Sequence, residues 1–465
     1  MKMYFFSPSS KKKVFLLLGD ILIVLITFYI TVFIKIKIFD PFNFKLILPK
    51  FNWWAFTLIS LSPIIFYIFE LYNKSRWENN TKLLLYISFA VLITSSIVAF
   101  LSYIFVFNMV IGRAILLFYS IFSILLLFAW RKLFVNVFSK SEYLKEKVLL
   151  IGDGAIVNDI ESIVKTYKII PYDLKIIRNY SENRGTDYVS DSISTQSLFD
   201  MVVDNKFNTI VVACSLNDFP LLRKWLFDMK FSGIAIYDAL YFYEALSAKI
   251  PISSIKDSWF LFHNQGKKFN PFLYSRIKRI MDILLSLCGI IILSPLILLI
   301  GLAIKLSSKG PIFFKQERLG QNEKPFTILK FRTMIVDAEK GGPKWSDKND
   351  SRVTKVGRPL RKCRFDELPQ LFNILKGEMS FIGTRPIRKF FAEKLAKDIP
   401  YYRLRFIIKP GLTGWAQVQG RYFDNNEEQK EKLEYDLFYI QNQSLFFDLF
   451  IVLKTVSTVL FWKGQ

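Results

Sequence analysis

Four long apolar runs occupy the first 130 residues of the chain, and they constrain its fold more than any other feature. Each run is close to the roughly 20 residues that a helix needs to cross the hydrocarbon core of a bilayer. The runs are Val14–Ile34, Trp53–Leu71, Leu83–Phe107 and Val110–Trp130. Tryptophan and tyrosine residues stand at the run ends, where interfacial aromatic side chains are expected. The sequence therefore predicts a membrane bundle of four helices over residues 1–138.

The basic residues around these runs indicate an orientation. Because four spans return the chain to its starting side, the segments before the first span, after the second and after the fourth share one side of the membrane. These segments carry Lys2 and Lys11–Lys13, then Lys74, Arg76 and Lys82, then Arg131, Lys132 and Lys140. The positive-inside rule makes that side cytoplasmic. The first external loop also carries lysines, which weakens the signal.

The overall charge and the rare residue types limit the classes of partner and site. A formal charge of +24 favours anionic partners such as phospholipid headgroups, polyprenyl phosphates, nucleotides or nucleic acid. The three cysteines lie far apart and form no CxxC pair, which argues against a disulfide framework or a thiolate zinc site. His263 is the only histidine, so metal sites with several histidines are excluded.

A small α/β domain follows the bundle, after a polar linker from Ser139 to Lys147. Its short apolar strands are Val148–Ile151, Leu174–Ile177, Thr209–Ala213 and Gly233–Tyr237, with helical stretches between them. The loop Gly152–Val157 resembles a dinucleotide-binding turn, but Val157 stands where the third glycine belongs. No acidic residue clearly ends the second strand. We expect a degenerate Rossmann-like domain over 146–251 with a regulatory or scaffolding role.

A further apolar segment, Ile280–Ile304, is interrupted in its middle by Ser294-Pro295. Proline removes a backbone hydrogen bond and bends a helix. Both flanks are basic, whereas a spanning helix normally shows asymmetry. We therefore expect a re-entrant membrane hairpin over 276–305, with Asp282 paired to Arg279 one helical turn away. The alternative is a kinked fifth span, which would place the rest of the chain outside the cell.

The C-terminal part combines an acidic pair with basic and glycine-rich segments. Asp366 and Glu367 precede a helix that Pro369 begins and Gly377 ends, so the positive end of the helix dipole lies beside both carboxylates. Taken alone, the pair is explained better as a helix N-cap followed by a glutamate that complements the helix dipole. Three segments surround the pair. The first is a β-hairpin from Pro311 to Arg332, whose second strand ends in the motif Lys330–Met334; the others are Gly383–Pro386 and Lys409–Val418. Arginines and glycine turns of this kind suit a pyrophosphate substrate.

In their order along the chain, these motifs resemble the bacterial sugar transferase family, the monotopic phosphoglycosyl transferases. The resemblance covers about Ser275 to Phe461. It rests on Lys278, Arg279, Asp282, Ser286, Ser294, Pro295, Lys330–Met334, Asp366–Gln370, Arg385-Pro386 and Lys409–Val418. The preceding spans and α/β domain are similar to those of the long, polytopic members. The expected fold is thus a four-span helical bundle, a small Rossmann-like α/β domain and an α+β catalytic domain over 272–465 with a re-entrant hairpin.

The resemblance implies an enzyme that moves a hexose 1-phosphate from a UDP-sugar to undecaprenyl (polyprenyl) phosphate with release of UMP. Asp366 would be the nucleophile that carries a covalent phosphosugar, and Glu367 would orient or ligate Mg²⁺. Phosphate-binding residues would be Lys330, Arg332, Arg385, Pro386, Arg318 and Lys409. The reaction would initiate exopolysaccharide, capsule or O-antigen (lipopolysaccharide) synthesis on the cytoplasmic face of a bacterial inner membrane. Nucleic acid is not an expected partner, and the oligomeric state stays open, a homodimer included.

The chain departs from the family pattern at two positions, and two other functions would explain parts of the sequence. Thr384 and Glu323 stand where members usually have proline and commonly a glycine. A membrane-bound NAD-dependent nucleotide-sugar dehydratase also joins four spans to a Rossmann domain, but its Tyr-x-x-x-Lys spacing occurs here at Tyr143 and Lys147, ahead of the glycine loop. A polybasic membrane scaffold or nucleic-acid tether would account for the charge and leave the acidic pair unexplained.

Overall fold

The chain divides into two compact units, Met1–Leu246 and Ser247–Gln465, which are described separately. The structure is a computed structural model that describes residues 8–39, 44–69, 71–72, 80–105, 113–139, 146–166, 172–178, 180, 195–205, 207–255, 271–336, 338, 350–419 and 426–460. Lys2, Lys74, Arg76, Trp77, Lys140, Tyr143, His263 and most of the predicted linker lie outside these ranges.

The first unit begins with the four helices that the apolar runs predict. They are α1 (Pro8–Phe39), α2 (Phe44–Ile68), α3 (Asn80–Phe105) and α4 (Arg113–Ser139). Within the described residues, four helices are long and apolar enough to cross a membrane: Val14–Ile34, Asn80–Leu101, Ile115–Phe134 and Phe272–Ser307. The described apolar part of α2, Phe56–Ile68, is shorter.

The interior of this helical bundle contains hydrogen-bonded polar side chains among apolar ones, and its outside is apolar. Arg131 donates two hydrogen bonds to Asp20, at 2.5 and 2.8 Å, and each side chain is only 1% exposed. Ser123 donates to Thr27 at 3.0 Å, between α4 and α1. Leucine, isoleucine and phenylalanine side chains face outward on the same helices. Such a distribution suits helices that pack through polar contacts while surrounded by lipid.

A parallel four-stranded sheet completes the first unit, in the order β2-β1-β3-β4. Its strands are β1 (Glu146–Ile151), β2 (Tyr172–Ile177), β3 (Thr209–Val212) and β4 (Ala235–Asp238). Its helices are α5 (Ala155–Thr166), α6 (Thr195–Asp204), α7 (Pro220–Phe231) and α8 (Ala239–Ser247). Apolar side chains cover both faces of the sheet, as parallel sheets require. The small parallel α/β domain that the sequence predicts is thereby confirmed.

The second unit combines a long helix with short strands and helices. The helices are α9 (Pro271–Ser307), α10 (Gly357–Lys362), α11 (Gln370–Lys376), α12 (Lys389–Asp398), α13 (Asn426–Gln441) and α14 (Leu445–Leu460). The antiparallel hairpin β5 (Phe313–Leu319) and β6 (Pro325–Phe331) lies within the predicted range 311–332, and β7 (Ser380–Ile382) pairs in parallel with β8 (Gly411–Thr413).

Two apolar clusters pack α9 against the rest of the second unit. One contains Ile300 and Ile304 of α9 with Phe331 of β6 and Leu360 of α10. The other is built on Ile328, Leu371, Ile374 and Met379, and Ile290 of α9 packs against it. The α9 residues on either side of Pro295 therefore contact the unit that carries the acidic pair.

The prediction that Arg279 and Asp282 form an ion pair is wrong. Arg279 donates instead to the carbonyls of Ile374 and Leu375, at 2.6 and 2.7 Å, and so caps the C-terminal end of α11. Asp282 accepts hydrogen bonds from the Ser380 hydroxyl and the Phe381 N–H, at 3.1 and 3.0 Å. Helical spacing makes the two residues neighbours on α9, but partners on other elements satisfy both charges.

Candidate active site

The acidic pair lies in a tight turn immediately before α11. Asp366 and Glu367 belong to a 3₁₀ turn, Phe365–Glu367, and the helical backbone continues through Leu368 and Pro369. Arg364, the residue before the turn, has φ +57°, a left-handed conformation that is costly for a residue other than glycine. Gly377 ends α11 with φ +89°, as the sequence predicts. Local backbone strain thus accompanies the placement of the two carboxylates.

Glu367 is held by two cations from distant parts of the chain. Its Oε1 accepts from Lys330 Nζ at 3.0 Å and from Arg385 Nη2 at 2.9 Å. Burial would raise the pKa of this carboxyl, but the charges of Arg385 and Lys330 outweigh burial and hold the pKa well below its usual range. Glu367 is therefore a permanent carboxylate at neutral pH.

Asp366 is in a different electrostatic state from its neighbour. It is 9% exposed, and none of the hydrogen bonds among the described residues reaches its carboxylate. Burial, followed by the negative charge of Glu367, raises the pKa of Asp366, while Lys330 and Arg361 oppose the shift. Environments that push the pKa values of two adjacent acids apart indicate a division of roles between them. Asp366 has its oxygens available for a ligand, whereas Glu367 organises the surrounding cations.

A buried asparagine joins the helix after the acidic pair to the strand that carries Lys330. Asn373 of α11 is fully buried; its Oδ1 accepts from the Leu329 N–H at 3.0 Å, and its Nδ2 donates to the Thr327 carbonyl at 2.7 Å. These bonds fix β6 against α11, because an amide side chain can bridge two elements only in one arrangement. Lys330, the next residue along β6, is thereby directed at Glu367.

Arg385 is positioned through its own backbone. The preceding residues join β8, where the Gly383 N–H donates to Thr413 O at 2.9 Å and the Gly411 N–H donates to Thr384 O at 2.8 Å. On the other side, buried Arg405 donates to the Arg385 carbonyl at 3.1 Å. The backbone that carries the Arg385 side chain is therefore held from both sides.

The structure places the other proposed phosphate ligands in three different settings. Arg318 lies next to Arg385 in space, since its Nη1 is 3.5 Å from the Pro386 carbonyl. Arg332 donates to the Ser308 carbonyl at 2.8 Å and to the Lys309 carbonyl at 2.9 Å, beyond the end of α9. That geometry assigns the Arg332 guanidinium to helix capping.

Lys409 lies on the α9 side of the unit. Burial and then the charge of Arg279 lower the pKa of Lys409, whereas Asp282 opposes the shift. The Pro410 carbonyl, next along the chain, accepts from the Ser380 N–H at 2.9 Å, which places Lys409 beside the Asp282 contact. A phosphate-binding role for Lys409 stays a prediction.

The residues of α9 that were predicted to form a hairpin mostly contact other elements of the second unit. Lys278 donates to Asp448 of α14 at 3.0 Å and to the Tyr439 hydroxyl of α13 at 2.6 Å. Ser294 directly precedes Pro295, and its hydroxyl donates to the Ile291 carbonyl at 2.8 Å. Ser286 is fully buried on α9, and its hydroxyl has no hydrogen-bond partner within the described residues.

Two basic residues near the acidic pair escaped the sequence analysis. Arg361 of α10 acts electrostatically on Asp366, and Arg364 acts on Glu367. Their signal is the cluster of basic residues directly before the pair, at Arg358, Arg361, Lys362 and Arg364. Gln370 belongs to the Asp366–Gln370 motif, but the sequence assigned it no role; it is 2% exposed, and its amide nitrogen has no partner within the described residues. Because Gln370 follows Asp366 by four residues, both lie on one helical face.

The two departures from the family pattern have local explanations. The Thr384 hydroxyl donates to the Arg405 carbonyl at 3.2 Å, so this side chain contributes a contact that proline could not make. Glu323 adopts φ +60°, which explains why glycine suits its position. The Glu323 carboxylate also pairs with Arg403 at 2.8 Å.

The donor set of the acidic pair fits Mg²⁺. Within the described residues, no group of three or more histidine, cysteine or acidic side chains could hold a metal. Mg²⁺ commonly takes one or two carboxylates and completes its shell with water and substrate phosphates. The Asp366 carboxylate and the second oxygen of Glu367 make no hydrogen bond within the described residues, so both remain open to such a cation.

Comparison with known proteins identifies one matching family and several similar proteins. A sequence model of the bacterial sugar transferase family matches residues 273–462. The chain is 38% identical over 252 residues to the UDP-N-acetylgalactosamine-undecaprenyl-phosphate N-acetylgalactosaminephosphotransferase of Aeromonas hydrophila, covering 54% of this chain and 58% of that protein. It is 42% identical over 185 residues to the UDP-glucose:undecaprenyl-phosphate glucose-1-phosphate transferase of Caulobacter vibrioides, covering 39% of this chain and 69% of that protein.

The UDP-glucose:undecaprenyl-phosphate glucose-1-phosphate transferase of Escherichia coli K12 is 43% identical over 182 residues, which cover 39% of each chain. The match thus spans 58% of the A. hydrophila relative and 39% of the E. coli relative. All residues proposed from the acidic pair and its phosphate-suited neighbours lie inside the matched range 273–462.

Proposed function

Because the chain belongs to the bacterial sugar transferase family, we propose that it transfers a hexose 1-phosphate from a UDP-sugar to undecaprenyl phosphate and releases UMP. The observation that carries this proposal is the pairing of Asp366, which has no hydrogen-bond partner among the described residues, with a Glu367 held by Lys330 and Arg385. The activities of the relatives make UDP-glucose and UDP-N-acetylgalactosamine the first donors to test.

The chemistry is a double displacement. A carboxylate oxygen of Asp366 attacks the sugar-bearing phosphorus of the UDP-sugar, and an O–P bond forms. The bond from that phosphorus to the bridging oxygen breaks, and UMP leaves with the electron pair. In the second step an oxygen of undecaprenyl phosphate attacks the same phosphorus, the carboxylate of Asp366 departs, and a lipid diphosphate sugar results. Asp366 returns to its starting state without an oxidant or reductant.

The residues around the nucleophile supply positioning and electrostatic stabilisation. A carboxylate that attacks a phosphate meets like charge, so fixed cations must lie close to the reacting phosphorus. Arg385 and Lys330 already converge on Glu367, and Arg361 acts on Asp366. The higher pKa of Asp366 makes its carboxylate more basic than an ordinary aspartate, which favours nucleophilic attack once the group is ionised.

We further propose that Glu367, together with Asp366, holds Mg²⁺ when substrate is bound. The cation would neutralise phosphate charge and orient the diphosphate. Glu367 suits this task, since its depressed pKa keeps it ionised at every pH at which the enzyme would act. Its cationic partners also fix the direction of its second oxygen.

The proposal also places α9 as a re-entrant membrane hairpin. Arg279 contacts α11 at Leu375, and Ile300 and Ile304 belong to the cluster that Leu368 joins. A straight helix would separate Arg279 from Ile304 by about 37 Å, whereas Leu368 and Leu375 lie only about 10 Å apart along a helix. A bend at Ser294-Pro295 reconciles these contacts. The apolar residues near the bend, Ile291, Ile292, Leu298 and Leu299, are 63–74% exposed and suit contact with lipid.

In this arrangement the acidic pair faces the membrane surface from the cytoplasmic side of a bacterial inner membrane. There it can reach both a soluble nucleotide sugar and the phosphate of a membrane lipid. The product would initiate exopolysaccharide, capsule or O-antigen assembly. The α/β domain has Gly152 and Gly154 at positive φ as in a Rossmann-like loop, but Arg178, not an acid, follows β2. We propose a scaffolding or regulatory role for this domain.

The test is a transferase assay with the full chain in membranes, undecaprenyl phosphate, Mg²⁺ and a panel of UDP-sugars. We expect UMP release and a lipid-linked product from the wild type with at least one donor. Asp366→Asn keeps the size of the side chain and removes the nucleophile, so its rate should fall by roughly a thousandfold or more. Full activity in this variant would refute the nucleophile assignment.

A matched variant tests the second carboxylate. Glu367→Gln should also lose activity, but only the wild type should accumulate a sugar phosphate bound to the protein when undecaprenyl phosphate is withheld. Asp238, an exposed acid of β4 in the first unit, gives the control Asp238→Asn, which should retain wild-type rates.

A further inference from the structure

A short segment before α9 is built into the core of the second unit. This segment, Ala248–Ile255, is called the strap. Ala248, Ile250 and Ile252 are each at most 2% exposed. The family match begins only at residue 273, so the strap lies outside it. Its burial shows that the strap packs as part of the second unit instead of lying on its surface as a solvated linker.

The strap is attached to α13 by its backbone and by one ion pair. The Ile250 N–H donates to the Glu434 carbonyl at 3.2 Å, and the Ile252 N–H donates to Glu434 Oε1 at 3.3 Å. Lys249 forms an ion pair with Glu431, one helical turn before Tyr435. The Lys249 ammonium also lies 4.9 Å from the centre of the Tyr435 ring. These contacts hold the strap along one face of α13.

Trp415 connects the strap to the glycine-rich loop 409–418. The Trp415 indole N–H donates to the Ala248 carbonyl at 2.9 Å, and the side chain is 1% exposed. Ala248 has φ +52°, a strained conformation that persists only where the surroundings fix it. On its other side the Trp415 ring packs against Phe447 of α14, with ring centres 5.1 Å apart. The strap thus supplies the hydrogen-bond acceptor for the indole N–H of this buried ring.

The loop that Trp415 anchors contacts the residues directly before Arg385. A Cβ added to Gly414 would lie 2.0 Å from the Gly383 carbonyl oxygen, so the two backbones are in close contact. The Gly383 N–H donates to Thr413 O, as described above. Displacement of Trp415 would therefore move Gly383 and, with it, the backbone that sets the direction of the Arg385 side chain.

We propose that the strap is a positioning element of the active site: through Trp415 and the 409–418 loop it holds Arg385 against Glu367. This inference rests on the proposed transferase function. Lys249 and Trp415 are positioning residues, since neither touches the reacting atoms. The transferase activity of this chain then depends on residues that precede the stretch matched by the sequence model of the family.

A charge exchange in the full-length protein tests the proposal. Lys249→Glu and Glu431→Lys each replace the ion pair by like charges, and each should lower kcat/KM by roughly tenfold. The double variant restores opposite charges in the same places and should recover most of the wild-type value. Lys165→Glu, at the exposed Lys165–Glu161 pair of α5, makes the same change in the other unit and should have no effect. Equal kcat/KM in the wild type and in both single variants would overturn the inference.

A second cycle asks whether the strap acts through Arg385. If it does, Lys249→Glu should cause no further loss in an Arg385→Ala background, because the positioned group is already absent. A general loss of folding would instead reduce activity by the same factor in both backgrounds. Additive losses would therefore contradict the proposed route.

Hydrogen exchange separates this inference from the proposed function. The amides of residues 409–418 should exchange faster in Lys249→Glu than in the wild type, and the double variant should restore slow exchange. A wild type that releases no UMP from any UDP-sugar would refute the proposed function. Unchanged exchange in Lys249→Glu would refute the role of the strap, whatever the activity assay shows.

Discussion

The guanidinium of Arg385 lies 2.9 Å from Oε1 of Glu367, although the two residues are 18 positions apart in the chain. Lys330 reaches the same oxygen from β6. Two cations on one carboxylate oxygen leave the other oxygen and the neighbouring Asp366 without a hydrogen-bonding partner among the described residues. This asymmetry distinguishes a prepared ligand site from an ordinary helix cap.

Replacement of Arg385 should impair the reaction more than it impairs folding. We expect Arg385→Ala to lower kcat/KM by roughly a hundredfold, because a fixed positive charge at the phosphates is lost. Arg385→Lys should recover only part of that loss, since lysine cannot repeat the planar geometry of a guanidinium. Steady-state UMP release with a UDP-sugar measures both variants.

Arg332 provides the matched control for Arg385. Its donors go to the carbonyls of Ser308 and Lys309, so Arg332→Met should lower the thermal unfolding temperature. Activity per folded molecule should stay within about twofold of the wild type. A large rise in KM for the UDP-sugar would instead restore the role in phosphate binding that the sequence suggested.

The rate should depend on pH through Asp366. Since burial and the charge of Glu367 raise the pKa of Asp366, the acid limb of kcat/KM should lie above the pKa of an ordinary aspartate, with activity rising as pH rises. Glu367→Gln removes one cause of the shift, so the limb of its residual activity should move to lower pH. A limb that stays in place would mean that another group controls it.

The two ends of α9 should be accessible from the same side of the membrane. Ser275 and Lys309 are both exposed. In a background without native cysteines, Ser275→Cys and Lys309→Cys should react with a membrane-impermeant maleimide from the cytoplasmic side. Leu298→Cys, at a position that is 73% exposed in the structure, should resist the reagent because lipid covers it. Labelling of the two ends from opposite sides would establish a fifth span.

Glu434 should make stability decrease as the pH rises. Burial raises the pKa of Glu434 to about 7, against the opposing charge of Lys249. The folded protein therefore holds a proton that the unfolded chain releases near its ordinary pKa. The resulting stability is present at pH 5 and is lost as the pH rises through 7, by up to about 3 kcal/mol.

The variant Glu434→Gln keeps an acceptor for the Ile252 N–H and cannot ionise. Its unfolding temperature should match that of the wild type near pH 5 and exceed it near pH 8. Parallel stability curves for the two proteins would show that Glu434 is not a protonated acid in the folded state.

Local sequence patterns predicted the elements that local physics determines. The length of the apolar runs predicted the helices α1–α4, and short apolar runs predicted β1–β4. The turn at Gly320–Lys324 predicted the hairpin β5–β6. Glycine at 377 and proline at 369 placed the acidic pair at the start of α11. Each of these features depends on neighbours within a few residues.

The partners of single charges depend instead on the three-dimensional arrangement. Helical spacing predicted that Arg279 would pair with Asp282. Arg279 instead donates to carbonyls at the end of α11, and Asp282 accepts from the backbone N–H of Phe381. Arg332 resembles a phosphate ligand in the sequence because it stands two residues from Lys330, yet it contacts the end of α9. The sequence did not reveal the strap, because its contact with the loop 409–418 is a hydrogen bond between Ala248 and Trp415, which lie 167 residues apart in the chain.

The attachment of both arms of α9 to one unit has a consequence for substrate choice. If the hairpin is rigid and enters one leaflet, its arm length sets the height of Asp366 above the hydrocarbon, independently of the tilt of the four N-terminal helices. The lipid phosphate must then lie at that same height to be attacked. The membrane hairpin would thus select acceptors by the depth of their phosphate in the membrane.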